Sequence, residues 1–205
     1  MKRSKSINLS RMRKTSRRFN LKPISLAIAS ITLAACSDTR QATVFKDLDH
    51  CSIQNPGLEQ ECQAAYEQAL EKAADTAPKY QNRRDCENEF GNNTCTNYRA
   101  SSSGSIFMPM MAGFMFSRAL DRNRYDNAPV FTSSNYRSPF YGDWVSSDGY
   151  RYGSNRKSSV TVGNKAFNPK PKVTRTMSRG GFGSTVAAKS SWSGKSSRSK
   201  GSWGG

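Results

Sequence analysis

Residues 47–100 read DLDHCSIQNPGLEQECQAAYEQALEKAADTAPKYQNRRDCENEFGNNTCTNYRA, and the four cysteines Cys51, Cys62, Cys86 and Cys95 decide what kind of fold this stretch can take. So short a segment buries too little apolar surface to hold itself together, and in an exported protein disulfides supply the difference. Four cysteines permit three pairings. The stretch has two similar halves, however. Asp49-His50-Cys51 leads to the turn Asn55-Pro56-Gly57 and then Cys62, while Arg84-Asp85-Cys86 leads to Gly91-Asn92-Asn93 and then Cys95. The likeness favours the local pairs Cys51–Cys62 and Cys86–Cys95, each loop adding roughly 2–3 kcal/mol. Zinc is the rival use of such residues. Structural zinc sites bring ligands in close C-x(2–4)-C pairs, the spacings here are far wider, and His50 is the one histidine in the chain. No metal ligand and no cofactor is expected.

Between the halves lies the clearest helical pattern. Asn55 is placed to cap it, with Pro56 in the first turn and Glu59 and Glu61 where the helix dipole favours acids. Cys62, Tyr66, Ala69, Leu70 and Ala73 recur at helical spacing, and Pro78 ends the run. A second helix is expected from Arg83 to Phe90, stopped by Gly91. Residues 47–100 thus read as a small, disulfide-stapled helical module.

Upstream, residues 1–22 carry nine basic side chains and no acid, followed by an apolar run from Ile24 to Leu33. That run is too short for the ~30 Å hydrocarbon core, which takes about 20 residues. Basic region, short apolar region and small residues together define a signal peptide, here residues 1–35. Leu33-Ala34-Ala35-Cys36 resembles the bacterial lipobox, which implies lipidation of the Cys36 thiol and an acylated amino terminus after cleavage. Ser37, in place of aspartate, implies transfer to the outer membrane, facing the periplasm, with the inner membrane as the alternative. Ser16-Arg17-Arg18-Phe19-Asn20-Leu21-Lys22 resembles a twin-arginine export signal with Asn20 where that pattern has Phe; the general secretory route is the preferred reading. Residues 36–46 then read as a polar tether.

Downstream, 101–105 is a serine linker, and 106–120 opens with the least polar run of the mature chain, Ile106 to Phe116, IFMPMMAGFMF. Two readings stand for it: an adaptable contact surface for a partner or bilayer, or the core missing from the stapled helices. Residues 121–188 are rich in basic residues, Tyr, Gly and Ser. A hairpin is expected around Asp148-Gly149, from Trp144 to Tyr152, with short strands at Ser159 to Val162 and Lys172 to Thr176. Arg179-Gly180-Gly181-Phe182-Gly183 lacks the Lys-Ser/Thr of a P-loop and reads as a flexible bend carrying one aromatic. The tail, 189–205, is low in complexity and is expected to be disordered. The fold expected for the whole is small α+β: the stapled module, a few short strands with one hairpin, and much irregular chain.

The formal net charge of +17 invites a nucleic-acid reading, but nine of those charges leave with the leader. Residues 36–105 hold 7 basic and 11 acidic residues, a net of −4, and residues 106–205 hold 16 and 4, a net of +12. An exported basic half meets anionic lipid, cell-wall or protein partners before DNA, so no nucleic-acid partner is expected. Mean hydropathy is −0.74 and hydrophobic residues are 35% of the chain, which argues against a single well-buried core. Nucleophilic catalysis wants a base beside Ser or Cys, and the one histidine sits beside a cysteine expected to be bridged. The function expected is therefore non-enzymatic: a lipid-anchored interaction or structural protein of the bacterial envelope. The alternatives are a basic nucleic-acid-binding protein of the cytoplasm and an envelope enzyme.

Four segments carry a family likeness: NPGLEQECQAAYEQALEKA (55–73), APKYQNRRDCENEFG (77–91), FMPMMAGFMFSR (107–118) and SRGGFG (178–183). In that order after a lipobox they resemble the YgiB-type family of uncharacterised proteobacterial proteins. The resemblance implies an envelope lipoprotein and brings no assigned activity. The chain departs from the family in its Ser/Trp/Lys-rich end and in the Arg-rich stretch after Phe116.

Overall fold

The computed structural model describes residues 39–99, 105–118 and 125–193. The expected signal peptide, Cys36, most of the serine linker and the last twelve residues of the tail (194–205) lie outside the described residues. Those described form a small α+β fold with four helices and ten short strands.

The first strand, β1 (Thr39–Phe45), lies where a polar tether was expected. Ala42, Val44 and Phe45 are buried, and the β-branched Thr39, Thr43 and Val44 suit an extended backbone. It sits inside an antiparallel sheet ordered β6-β5-β1-β9, made with β5 (Gly113–Arg118), β6 (Tyr125–Val130) and β9 (Ser159–Gly163). Its register sets Thr43 opposite Phe116 on one side and Ala42 opposite Val160 on the other.

Helix α1 (Leu48–Gln54) starts at the Asp47 cap, whose side chain accepts the His50 N–H at 2.7 Å. Asn55 caps the end of this helix and not the start of the next: its side-chain amide donates to the Cys51 carbonyl at 2.8 Å. Asn55-Pro56-Gly57 is therefore the joint between two helices. Helix α2 (Glu59–Thr76) buries Cys62, Ala65, Ala69 and Ala73, while Leu70, expected on that face, is exposed. Helix α3 (Arg83–Phe90) is capped by Asn82 and stopped by Gly91 at φ +112°.

The apolar run Ile106 to Phe116 is core. It links two sheets. Its first half is β4 (Ser105–Pro109), in the sheet ordered β10-β2-β4-β3 with β2 (Lys79–Tyr80), β3 (Cys95–Arg99) and β10 (Thr176–Met177); its second half is β5 of the other sheet. Phe114, Met115 and Phe116 are buried, Phe107, Met108 and Met111 pack against the core, and Met110 is half exposed.

The expected hairpin is β7 (Asp143–Val145) paired with β8 (Arg151–Ser154). Gly149 makes its turn at φ +87°, and the Gly149 N–H donates to the Ser146 carbonyl. The strand expected at Lys172 to Thr176 shrinks to β10, because the preceding backbone is taken elsewhere: Val173 donates to the Asp75 carbonyl, and its own carbonyl accepts from Lys79 Nζ. Arg179-Gly180 is a turn as expected, but Gly181 opens helix α4 (Gly181–Ser193), so residues 189–193, expected to be disordered, are helical. Phe182 and Val186, one helical turn apart, bury themselves and hold that helix to the body.

Candidate functional site

The four cysteines of the quoted stretch meet in two local pairs. Cys51 bonds to Cys62, joining α1 to α2 with the Cα atoms 5.8 Å apart; Cys86 bonds to Cys95, joining α3 to β3 at 6.2 Å. All four are buried. His50 lies edge-on to Phe45, with ring centroids 5.4 Å apart, accepts the Lys46 N–H at Nδ1 and meets Gln54 through its other nitrogen. Its ring nitrogens thus tie the backbone just before α1 to the last residue of that helix. No group of three His, Cys, Asp or Glu side chains suited to a metal ion occurs among the described residues.

The glycine-rich turn does hold a carboxyl group, the chain's own. The Gly183 N–H, in the first turn of α4, donates to Glu89 Oε2 at 2.8 Å. A Cβ at Gly183 would stand 3.1 Å from Pro139 Cδ, so the bare backbone lets the helix end come close. Burial pushes the Glu89 carboxyl up, and the amides of Gly183, Gly180 and Phe182 pull it back without cancelling that rise. Tyr80 lies beside it, its phenol pushed upward by burial and then by the Glu89 charge. The phenol and Glu89 Oε1 form no hydrogen bond of good geometry. A signal was present in the sequence: Glu89 and Phe90 lie three and four residues after Cys86, on the helical face that carries it.

A cleft of about 670 Å³ opens between α2, β6, the 3-10 turn Asn164–Phe167 and the segment after it. Its charged lining is Arg40, Lys72, Lys170 and Lys172 against Asp75 and Asp126. Arg40 bonds to Asp126 at 2.6 Å and lies over the Phe167 ring at 4.0 Å. Lys172 holds Asp75 at 2.9 Å. Lys170 and Lys189 share Asp148, at 3.6 and 3.4 Å. Burial works to raise the Asp148 carboxyl, but the Ser146 hydroxyl and the two lysines outweigh it and hold the group low.

Lys72 differs from these. Its ammonium donates to the backbone and side-chain oxygens of Asn127, at 2.9 and 2.8 Å, both neutral acceptors. Asn127 is itself buried and ties back to Gln68. Partial burial pushes the Lys72 ammonium down from its ordinary value, against a weaker pull from the Asp126 and Glu71 charges. The cleft thus holds a half-desolvated cation without a carboxylate at ion-pair distance among the described residues. Residue spacing pointed to none of this, because Lys72 and Asn127 meet across 55 positions.

Comparison with known proteins gives a family. A sequence family described as a protein of unknown function, DUF1190, matches residues 39–193. A UPF0441 protein of Serratia proteamaculans is 40% identical over 205 residues, covering 93% of each chain. A UPF0441 protein of Sodalis glossinidius is 39% identical over 198 residues, covering 91% of this chain and 92% of its own, and one of Klebsiella pneumoniae is 38% identical over 205 residues, covering 93% and 92%. No solved structure matches. The chain belongs to the DUF1190 family, the uncharacterised proteobacterial group of YgiB type that includes these UPF0441 proteins.

Proposed function

We propose that this protein is an exported lipoprotein of the bacterial envelope, cleaved before Cys36, held at the outer membrane facing the periplasm by acyl chains on that residue, and acting there as a non-enzymatic interaction module. One observation carries the reading. The first described strand starts at Thr39, three residues after the cysteine of Leu33-Ala34-Ala35-Cys36. Those three residues reach at most about 11 Å fully extended. Acyl chains on Cys36 would therefore hold the body against the lipid surface and not at the end of a long tether. Two buried disulfides suit the oxidising compartment this requires.

The test is processing and fractionation of the native protein. Substituting Cys36→Ala is expected to leave the leader uncleaved and to remove the lipid mass, whereas inhibiting the lipoprotein signal peptidase is expected to leave the leader attached to a chain that still carries lipid on the Cys36 thiol. Intact mass spectrometry of the normal protein is expected to show an acylated chain beginning at Cys36. A native chain that starts at Met1, carries no lipid and has free thiols would overturn the reading and favour a cytoplasmic role.

A further inference from the structure

We propose that the cleft around Lys72 is a binding site for a phosphoester anion of head-group size. This rests on the envelope reading only for where such an anion is met. The argument is one of charge and commitment. Asp126 is neutralised by Arg40 and Asp75 by Lys172, which leaves Lys72 and Lys170 as the cations that give the lining its net positive charge. Lys170 also faces Asp148, which it shares with Lys189. A guanidinium fork grips carboxylate and phosphate alike, and the one fork lining this cleft, on Arg40, is spent on Asp126 and on stacking with Phe167. What remains are lysines, which bind phosphate as point charges.

The environment of Lys72 adds to this. Its desolvation disfavours the cation in the empty cleft, and in that poorly hydrated setting the attraction of an arriving anion is screened less than in open water. Two of the three ammonium protons are given to Asn127, which fixes the nitrogen and leaves one donor for a ligand. Phe167, Pro169 and Ala166 give the other part of the wall an apolar character, and the volume matches the roughly 300–1,000 Å³ of small-molecule sites. An acylated glycerol phosphate, with apolar chains on one side and one phosphate on the other, suits both parts of the wall.

The test is a calorimetric titration of the full native protein, extracted in neutral detergent at physiological salt. The probes are dihexanoylphosphatidylglycerol, dihexanoylphosphatidylcholine, glycerol 1-phosphate, inorganic phosphate and glucuronate. Binding of phosphatidylglycerol or glycerol phosphate is expected, with Lys72→Met weakening it roughly tenfold to a hundredfold, the worth of one charge-assisted hydrogen bond. Lys170→Gln is expected to weaken it severalfold, which keeps the test open should Lys72→Met fold poorly. Lys157→Gln, a charge outside the cleft, is expected to change nothing. Preference for the phospholipid over glycerol phosphate assigns a lipid head group, and equal binding assigns a free phosphoester; either supports the site. Glucuronate or phosphatidylcholine binding equally well, an equal loss with Lys157→Gln, or no binding overturns it. The protein is already out of the membrane, so an unacylated chain with a working cleft and an acylated chain with an inert one give different results.

Discussion

At the scale of single residues the most consequential group is Glu89. A carboxylate so deeply buried is costly unless donors meet it, and the α4 amides meet only one of its oxygens well. Its pKa in the fold therefore lies above the value it has in the unfolded chain. The sign follows directly. A raised carboxyl pKa means the folded state binds its proton more tightly, so that stability is complete below about pH 4, near the unfolded value, and is lost as pH rises through the raised one. Glu89→Gln keeps an acceptor for the Gly183 N–H and removes the titration. Urea unfolding at a series of pH values should show wild type falling behind Glu89→Gln as pH rises from about 4 towards 7; a constant gap between the two would place the carboxyl in an ordinary environment. Glu89→Ala orphans the Gly183 donor and should cost about 1–3 kcal/mol across the range.

Elements show why some of the fold was legible and some was not. Helix α3 could be bounded to the residue, because Asn82, Asp85 and Gly91 are local signals of capping and stopping. Asn55 misled because an asparagine between two helices can serve either end; its amide went to the carbonyl of α1. Strand β1 was hidden because its partners are remote. Thr43 meets Phe116 and Ser159, and no pattern within Thr39–Phe45 announces them. Gly113 marks how tightly this joint is made: a Cβ there would stand 2.6 Å from the Phe45 carbonyl oxygen. Gly113→Ala must push β5 off β1, and a loss of about 1–3 kcal/mol is expected, as for overpacked cores, measured by urea unfolding. The disulfides provide a second test at this scale. Replacing both Cys86 and Cys95 with Ser frees the short loop between α3 and β3 and should cost roughly 2–3 kcal/mol by the same measurement. An unchanged midpoint would mean that the unfolded chain gains no freedom from the cut.

For the whole molecule, low hydrophobic content argued against a single well-buried core, and the buried residues fall in three clusters, yet seven of the nine phenylalanines among the described residues are buried. Aromatic volume compensates for the scarcity of aliphatic residues. Phe90 is the centre of this packing, with Phe140 at 5.2 Å, Phe182 at 5.3 Å, and Tyr80 and Phe131 at 6.4 Å between ring centroids. The ring of Phe182 comes from α4, the last described element, so the body is closed by its C-terminal helix. Each such ring removed costs about 3–5 kcal/mol, against a total of about 5–15 kcal/mol for a typical domain. A chain stopped after Ser178 loses Phe182, Val186 and the donor to Glu89 together, and should not reach the native state at all. Among the described side chains of α4 the buried ones lie at or before Val186, so a chain stopped after Ser193 should unfold in urea at the same midpoint as the full one. Near-ultraviolet circular dichroism and limited proteolysis of the two truncations decide the matter. A folded chain ending at Ser178 would show that the aromatic cluster closes without its last ring, and a destabilised chain ending at Ser193 would give residues 194–205 a part in holding the body together.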